Sequence, residues 1–180
     1  MNPDAGLQPG HHVQREGFFQ KLAKERHGRL FRQWLGENGR ILDLGCWDGA
    51  LARHYAAGND VIGLDLGLAA LRLAAQVPGI RAVQAPLSGP LPFPDECFSA
   101  AVLADAGEHL PWLALILAEA HRVLRPEGLL VGSVPLASHL PDRRFTYRDF
   151  QGLLAARFQL EVFISGEPGA GNTAFRCRKM

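Results

Sequence analysis

The sequence contains little cysteine, no long apolar run and almost no excess charge. Its three cysteines, Cys46, Cys97 and Cys177, are odd in number and widely spaced, which argues against a disulfide framework and against a zinc site. No stretch reaches the about 18 apolar residues that a transmembrane helix needs. The formal net charge is +1, so the overall charge indicates neither nucleic acid nor a membrane surface as a partner. We therefore expect a cytoplasmic protein that binds no metal, no membrane and no nucleic acid.

The composition is that of one globular domain. The chain has 180 residues, of which 47% are hydrophobic and 21% are charged. A chain of this length can form a single core. Residues 1–12 are polar and contain glycine and proline, so we interpret them as a flexible arm rather than a signal peptide. Residues 13–180 form the predicted domain.

Segments with helical periodicity alternate with short apolar strands along most of the chain. Predicted strands cover residues 40–44, 61–65, 80–83, 98–104 and 129–134, and predicted helices cover residues 13–36, 50–57, 68–75 and 112–124. Gly28 lies inside the first helix and costs it about 1 kcal/mol relative to alanine. Prolines within residues 85–96 exclude regular structure there, and Pro126-Glu127-Gly128 predicts a turn before the fifth strand. The alternation predicts a doubly wound, mostly parallel α/β sheet.

The last third of the chain has a different pattern. Thr146, followed three residues later by Asp149, predicts the start of a helix. Predicted strands at residues 159–165 and 173–177 are joined by a glycine- and proline-containing turn, which is typical of an antiparallel hairpin. The expected fold is therefore a single-domain, Rossmann-like sheet of about seven strands with a C-terminal antiparallel hairpin.

A glycine-containing turn and an acid follow the first two predicted strands, where open parallel sheets bind their ligands. The turn is Asp43-Leu44-Gly45-Cys46-Trp47-Asp48-Gly49, and the acid is Asp65. Glycines let the backbone pass close to a ligand, and an acid at the place of Asp65 accepts the hydroxyls of a ribose. A dinucleotide fingerprint needs three glycines, but the positions are filled by Gly45, Trp47 and Ala50. The pattern thus predicts a nucleoside site and argues against NAD.

The segment from Ile41 to Gly49 resembles the first motif of class I S-adenosylmethionine-dependent methyltransferases, and most of all that of the methyltransferase type 11 group. Further resembling segments are Val61-Ile62-Gly63-Leu64-Asp65, Leu91-Pro92-Phe93-Pro94-Asp95 with Phe98, Glu108-His109-Leu110, residues 118–128 and Arg144-Phe145-Thr146. The ordered set covers about residues 40–158. It is specific for the fold and the cofactor, and it carries little information about the substrate.

The resemblance implies S-adenosylmethionine as cofactor and S-adenosylhomocysteine as product. The turn after the first strand would hold the methionine part, mostly through its backbone, and Asp65 would hold the ribose hydroxyls. Leu66 would border the adenine, and the backbone around Leu103 and Ala104 would meet the methionine end. The implied cofactor-binding residues are Asp43, Gly45, Cys46, Trp47, Gly49, Asp65, Leu66, Ala85 and Ala104.

Two positions depart from the family pattern. Trp47 stands where the family usually has the middle glycine of its first motif. The segment Gln84-Ala85-Pro86, after the third strand, lacks the usual acid beside the adenine amino group. Because a hydrogen bond to a charged group contributes about 1.5–3 kcal/mol, we expect its absence to weaken cofactor binding by about ten- to a hundredfold.

Methyl transfer from a sulfonium needs a well-positioned nucleophile above all, and it needs a base only when the acceptor must lose a proton. Asp105 and His109 follow the fourth strand and are candidate bases. His109, His139 and Tyr147 are candidates for the substrate pocket. Each also fits a structural role, as a hydrogen-bonded residue at a helix N-terminus for His109 and as loop surface for His139 and Tyr147.

We therefore expect an S-adenosylmethionine-dependent methyltransferase that acts on a small-molecule acceptor. No Asn/Asp-Pro-Pro-aromatic motif and no Pro-Cys nucleophile follow the fourth strand, which argues against methylation of DNA bases. Two alternatives stay open. One is a non-catalytic partner protein that binds S-adenosylmethionine, and the other is an NAD-dependent oxidoreductase, which the missing glycines disfavour.

Overall fold

The computed structural model describes residues 18–105, 112–135, 146–164 and 172–180. The five helices of this part of the chain are α1 (Phe18–Leu35), α2 (Arg53–Ala56), α3 (Leu68–Ala74), α4 (Leu113–Val123) and α5 (Tyr147–Ala155). Its seven strands are β1 (Arg40–Leu44), β2 (Asp60–Asp65), β3 (Ile80–Gln84), β4 (Phe98–Leu103), β5 (Leu124–Pro135), β6 (Phe158–Ile164) and β7 (Asn172–Lys179). The predicted arm, residues 1–12, lies outside the described residues.

The strands form one sheet in the order β3-β2-β1-β4-β5-β7-β6. The pairs among the first five strands are parallel, and β7 pairs antiparallel with both β5 and β6. The predicted α/β sheet of seven strands with an antiparallel C-terminal hairpin is therefore confirmed. The carboxyl ends of β1, β2 and β4 meet at one edge, as parallel strands require, and that edge carries the candidate site.

Each face of the sheet is covered by its own buried cluster. One cluster joins β4 and β5 to α4 and α5 through residues such as Leu117, Phe150 and Phe175. The other joins the opposite face to α1 and α2 through Phe31 and Tyr55. Both faces are apolar because a parallel sheet in this architecture is covered on each side by helices. No helix in the described part of the chain is both long and apolar enough to cross a membrane.

Helix α1 runs antiparallel to the parallel strands. Its end lies at the amino edge of the sheet, where Asn59 Nδ2, just before β2, donates a hydrogen bond to Gly36 O at 2.9 Å. Its first turns lie at the carboxyl edge, where Lys24 Nζ is 6.0 Å from the centre of the Trp47 ring. The helix therefore spans the sheet and brings its N-terminal half over the candidate site.

Gly28 allows α1 to approach α2 closely. A Cβ atom at this position would lie 2.2 Å from His54 Cδ2, so the space that a side chain would need holds the His54 ring. Glu25 adds a polar contact on the same side, with Oε2 3.6 Å from His54 Nε2 and with an ion pair to Arg53. The glycine that weakens the isolated helix is thus required by its packing.

The proline-rich segment between β3 and β4 has no regular structure, as predicted, and Arg122 on α4 holds it. The guanidinium donates to Phe93 O at 2.9 Å and to Leu91 O at 3.1 Å. It also pairs with Asp95 at 2.7 Å and with Glu119 at 2.8 Å. These bonds give the Leu-Pro-Phe-Pro-Asp motif a structural role, because one side chain replaces the backbone pairing that prolines prevent.

Several element bounds differ from the predicted ones by one residue or more, and the largest differences are in α2 and β5. Helix α2 covers only Arg53–Ala56, because the preceding residues form tight turns, with Tyr55 N donating to Ala52 O at 3.0 Å. Strand β5 begins at Leu124 rather than after the predicted turn at Pro126-Glu127-Gly128. That turn is an irregularity inside the strand, with Leu124 opposite Phe98 and Leu129 opposite Ala100. Strand β4 ends one residue earlier than predicted, at Leu103.

Alanine at Gly28 is expected to destabilise the chain by about 1–3 kcal/mol, because overpacking would push α1 away from His54. The matched control is Gly152→Ala on α5, where nothing lies within 4 Å of the position of the added Cβ. That variant is expected to gain up to about 1 kcal/mol from helix propensity alone. Urea unfolding of both variants measures the difference. Wild-type stability of Gly28→Ala would show that the contact with α2 does not hold α1 in place.

Candidate functional site

The carboxylate of Asp65 ties together the loops that follow β1 and β2. Oδ2 accepts a hydrogen bond from Trp47 N at 3.0 Å, and Oδ1 accepts one from Gly67 N at 2.8 Å. A carboxylate offers about four lone-pair positions, so two remain for further donors. The side chain lies at the carboxyl edge of the sheet. It is therefore placed to accept hydroxyl hydrogens from a bound ribose.

The turn after β1 depends on backbone conformations that favour glycine. Gly45 has φ 78° and donates its N–H to Leu64 O at 2.8 Å. Gly49 has φ 76°, and a Cβ there would lie 3.1 Å from Ala74 Cα. Two of the glycines that predicted a close backbone turn are thus at positions where a side chain would be strained.

Trp47 occupies the left-handed region with φ 46°, although it is not glycine. This conformation costs a residue with a side chain about 1–2 kcal/mol, which gives a physical reason for the family's usual glycine here. The indole is 45% exposed at the mouth of the site. The Lys24 ammonium lies over it at 6.0 Å, within the range of a cation–π contact. Trp47 therefore joins the turn after β1 to helix α1.

Asp43 lies one strand away from Asp65 in a very different environment. Its side chain is 3% exposed and accepts a hydrogen bond from Tyr55 Oη at 2.8 Å. Burial raises the pKa of Asp43 to about 7; the Tyr55 hydrogen bond opposes the rise and the Asp65 charge adds to it. The Asp43 carboxyl group thus faces the interior and supports the turn from below.

Cys46, another predicted residue of this turn, has a packing role. Cys46 is buried, and a Cβ on Gly63 of β2 would lie 2.7 Å from its Sγ, so the thiol fills the space above that glycine. Burial raises the pKa of the Cys46 thiol, which keeps it protonated and unreactive. Within the described ranges, no three His, Cys, Asp or Glu side chains are grouped as metal ligands.

The adenine side of the predicted site lies between β2 and β3. Leu66 is 65% exposed, which provides an apolar surface beside Asp65. Gln84 lies opposite Asp65 in the strand register, and its Nε2 donates to Leu66 O at 3.0 Å. Ala85 N donates to the backbone oxygen of Asp65 at 3.0 Å. The sequence analysis named Ala85 of this segment as a cofactor-binding residue and gave Gln84 no role, whereas the structure places the Gln84 amide next to Leu66.

The end of β4 is held to β5 by a pair of hydrogen bonds. Asp105 N donates to Ser133 Oγ at 2.9 Å, and Ser133 Oγ donates to Asp105 Oδ1 at 3.2 Å. Asp105 has φ 52°, so its backbone turns sharply directly after Leu103 and Ala104. The carboxylate of this candidate base is therefore held in one position at the carboxyl edge.

Of the three substrate-pocket candidates, only Tyr147 lies within the described residues. Tyr147 packs against Phe163 of β6, with ring centres 4.4 Å apart and the rings tilted by 56°, and accepts a hydrogen bond from Gln151. Strand β6 is three positions from β4 in the sheet, a separation of about 14 Å at the usual strand spacing. His109 and His139 lie outside the described residues.

Helix α1 supplies site residues that the sequence analysis missed. Lys24 contacts Trp47, and His27, one turn later, stacks on Phe31 with ring centres 5.8 Å apart. The sequence analysis looked for site residues directly after the predicted strands, and Lys24 and His27 precede the first strand by more than ten residues. The available signal was the helical spacing of Lys24, His27 and Phe31 on one face of a helix next to the sheet.

A family model described as a methyltransferase domain matches residues 42–132 of the chain, about half of its length. The matched residues begin in β1 and end in β5. They include the turn after β1, Asp65 and the end of β4, so the match covers the strand-end part of the site, whereas Lys24 and His27 of α1 lie outside it.

Two similar curated proteins are methyltransferases by name. Demethylmenaquinone methyltransferase of Lactiplantibacillus plantarum is 33% identical over 123 residues, which cover 61% of this chain and 52% of that protein. Sterol 24-C-methyltransferase erg6 of Aspergillus fumigatus is 30% identical over 125 residues, covering 65% of this chain and 33% of that protein. The chain thus spans about half or less of the length of these curated relatives.

A solved structure shares the fold. It is the 1,6-didemethyltoxoflavin-N1-methyltransferase of Burkholderia thailandensis with bound 1,6-didemethyltoxoflavin and S-adenosylhomocysteine. The TM-score is 0.70 at 24% identity, over 89% of this chain and 79% of that chain.

Asn in place of Asp43 is expected to change how stability depends on pH. The folded-state pKa of about 7 lies above the ordinary 3.8, so wild-type stability is lost as pH rises between these values. Asp43→Asn removes that loss and gains, relative to wild type, a few kcal/mol between pH 4 and pH 7, on the order of 4 at most. Urea unfolding across this range measures it.

Tyr55→Phe is the matched control for that measurement. It keeps the Asp43 carboxyl group and removes the hydrogen bond that lowers its pKa. The pH dependence should therefore persist or extend to higher pH. Equal pH dependence in Asp43→Asn and wild type would mean that the carboxyl group ionises normally in the folded chain.

Proposed function

The chain belongs to the methyltransferase domain family, whose cofactor is S-adenosylmethionine, and on that premise we propose that it methylates a small-molecule acceptor in the cytoplasm. The observation that carries the proposal is the Asp65 carboxylate, which links two strand-end loops and keeps acceptor capacity at the edge of the sheet. The unpaired state of Cys46, Cys97 and Cys177 suits a reducing compartment.

The residues of the site fit S-adenosylmethionine by their chemistry. Asp65 would accept the ribose hydroxyls, Leu66 would cover one side of the adenine, and the turn from Gly45 to Gly49 would hold the methionine part. The bound cofactor supplies an electrophilic methyl carbon, so the chain itself must orient the acceptor and exclude water. NAD fits less well, because the exposed Trp47 indole stands where a pyrophosphate needs to approach the backbone.

An apolar rim supports a small acceptor with apolar surface. Trp47, Leu66 and Leu68, which follow the ends of β1 and β2, are all exposed, and they offer apolar surface to a small acceptor beside Asp65. The relatives are named for demethylmenaquinone, a sterol and 1,6-didemethyltoxoflavin, which are all small molecules. A nucleic acid would instead need a continuous basic groove, and the predicted segment around the site, residues 41–121, is acidic overall.

Calorimetry is expected to show binding of S-adenosylhomocysteine and none of NAD, with Asp65→Ala weakening the former at least about tenfold. The reason is the loss of charge-assisted hydrogen bonds to the ribose, which contribute about 1.5–3 kcal/mol each. Asp60→Ala is the matched control, because Asp60 begins the same strand at the opposite edge and pairs with Arg81. Unchanged affinity in Asp65→Ala would place the ribose elsewhere, and binding of NAD alone would contradict the cofactor.

The acceptor can be sought without knowing its identity. The chain is incubated with methyl-labelled S-adenosylmethionine and a methanol-soluble metabolite extract, and label is followed into fractions by mass. We expect label in a low-mass product, with Asp60→Ala as active as wild type and Asp65→Ala much less active at limiting cofactor. Binding of S-adenosylhomocysteine without any label transfer would instead support a non-catalytic partner protein.

A further inference from the structure

We propose that His27 on α1 accepts the proton from the methyl acceptor and that Asp105 at the end of β4 stabilises the protonated ring. The inference rests on the proposed methyl transfer and names the group that makes the acceptor nucleophilic. It adds a residue from outside the family motifs to the site, and it specifies the kind of acceptor.

The position of His27 along α1 places it at the carboxyl edge. Gly36 is at the amino edge, bonded to Asn59, and Lys24 is at the carboxyl edge, over Trp47. At 1.5 Å per residue the helix covers about 18 Å between these two contacts, close to the length of one strand. His27 is only about 5 Å along the helix axis from Lys24. It therefore lies next to the strand ends, where the turn after β1 closes the site.

The stacking on Phe31 places His27 above β4 and β5. Phe31 is fully buried in the cluster that contains Val102 of β4 and Val131 of β5. The two rings are nearly parallel, at an angle of 4°. Because strand residues alternate between faces, Ser133 lies on the same side of β5 as Val131, one pair of residues nearer the edge. The His27 imidazole thus lies between the buried Phe31 ring and the polar residues at the carboxyl ends of β4 and β5.

The polar end is the hydrogen-bonded pair of Ser133 and Asp105. The Asp105 N–H donates to Ser133 Oγ at 2.9 Å, and Ser133 Oγ donates to the Asp105 carboxylate at 3.2 Å, so both groups of Asp105 are bonded to a residue on the α1 side of β5. Among the described residues, the charged groups that act on the His27 ring are this carboxylate and Arg26 of the same helix. Burial lowers the pKa of His27 most strongly, the Asp105 charge raises it and the Arg26 charge lowers it. The ring is therefore neutral near pH 7 and can take up a proton.

In the proposed step, proton transfer to His27 accompanies methyl transfer to the acceptor. A hydroxyl group of the acceptor gives its proton to a ring nitrogen of His27, and the oxygen lone pair forms the new bond to the methyl carbon. The carbon–sulfur bond breaks, its electron pair stays on sulfur, and S-adenosylhomocysteine results. His27 then carries one positive charge beside Asp105 until the proton passes to water. A neutral imidazole suits an acceptor with the acidity of a phenol or enol, with a pKa of about 10.

The first test follows the His27 ring by proton NMR in the full-length chain saturated with S-adenosylhomocysteine. The signal is assigned by its loss in His27→Gln. Its midpoint is expected below the ordinary 6.5, and Asp105→Asn is expected to lower it further, because the stabilising charge is removed. A midpoint that Asp105→Asn leaves unchanged, or a ring that does not titrate, would overturn the proposal without involving any activity measurement.

The second test uses the label-accepting metabolite fraction defined above. His27→Gln should lower the rate of transfer at least about a hundredfold, the scale of general-base catalysis, and abolish the acidic limb of its pH profile. Affinity for S-adenosylhomocysteine should stay within about twofold. His121→Gln is the control, because His121 is on α4 near Met180, away from the site. Full activity in His27→Gln overturns this inference alone, whereas a wild-type chain that binds no S-adenosylhomocysteine overturns the proposed function.

Discussion

The close approach of α1 to α2 at Gly28 is the contact on which the candidate site depends. A glycine in a helix interior lowers local stability, yet here it admits the His54 ring and lets Glu25 reach Arg53 and His54. These contacts hold the middle of α1 against α2. Its N-terminal half then covers the strand ends, which is why residues far from the glycine turn in sequence, such as Lys24 and His27, belong to the same site.

Two carboxyl groups at the ends of neighbouring strands perform opposite tasks. Asp65 lies at the edge and uses its oxygens for two loop N–H groups, so it orders the loops while keeping positions for a ligand. Asp43 is buried under the turn and bonded to Tyr55, so it supports the loop without facing it. Environment rather than residue type separates the roles, because burial raises the pKa of Asp43 to about 7, whereas Asp65 lies at the edge of the sheet and bonds to two loop N–H groups. Asp43 therefore supports the turn from the interior, and Asp65 offers hydrogen-bond acceptors to a ligand at the surface.

Periodicity and glycine spacing predicted the sheet and the glycine turn because both are encoded within short stretches of chain. The strand β1 and the capped start of α5 at Thr146 were found in this way. The placement of α1 was not predictable, because it depends on a contact between Gly28 and His54 that are far apart in sequence. The Gln84 amide was overlooked for a related reason, since only the strand register puts it beside Leu66. Contacts between residues of different helices and strands are therefore hard to predict from a single sequence.

The Arg122 network has a consequence for how the family's sequence signature is interpreted. Leu91, Phe93, Asp95 and Glu119 all bond to one guanidinium, although they span nearly thirty residues. Leu91 and Phe93 bond through their main-chain oxygens, so this network does not constrain their side chains. Asp95, Glu119 and Arg122 bond through side chains, so covariation among these three would report the maintenance of a proline-rich loop. Selection for loop architecture and selection for chemistry leave the same mark on an alignment. A ranking of residues by invariance would place Arg122 beside Asp65, although only Asp65 lies where the cofactor binds in our proposal.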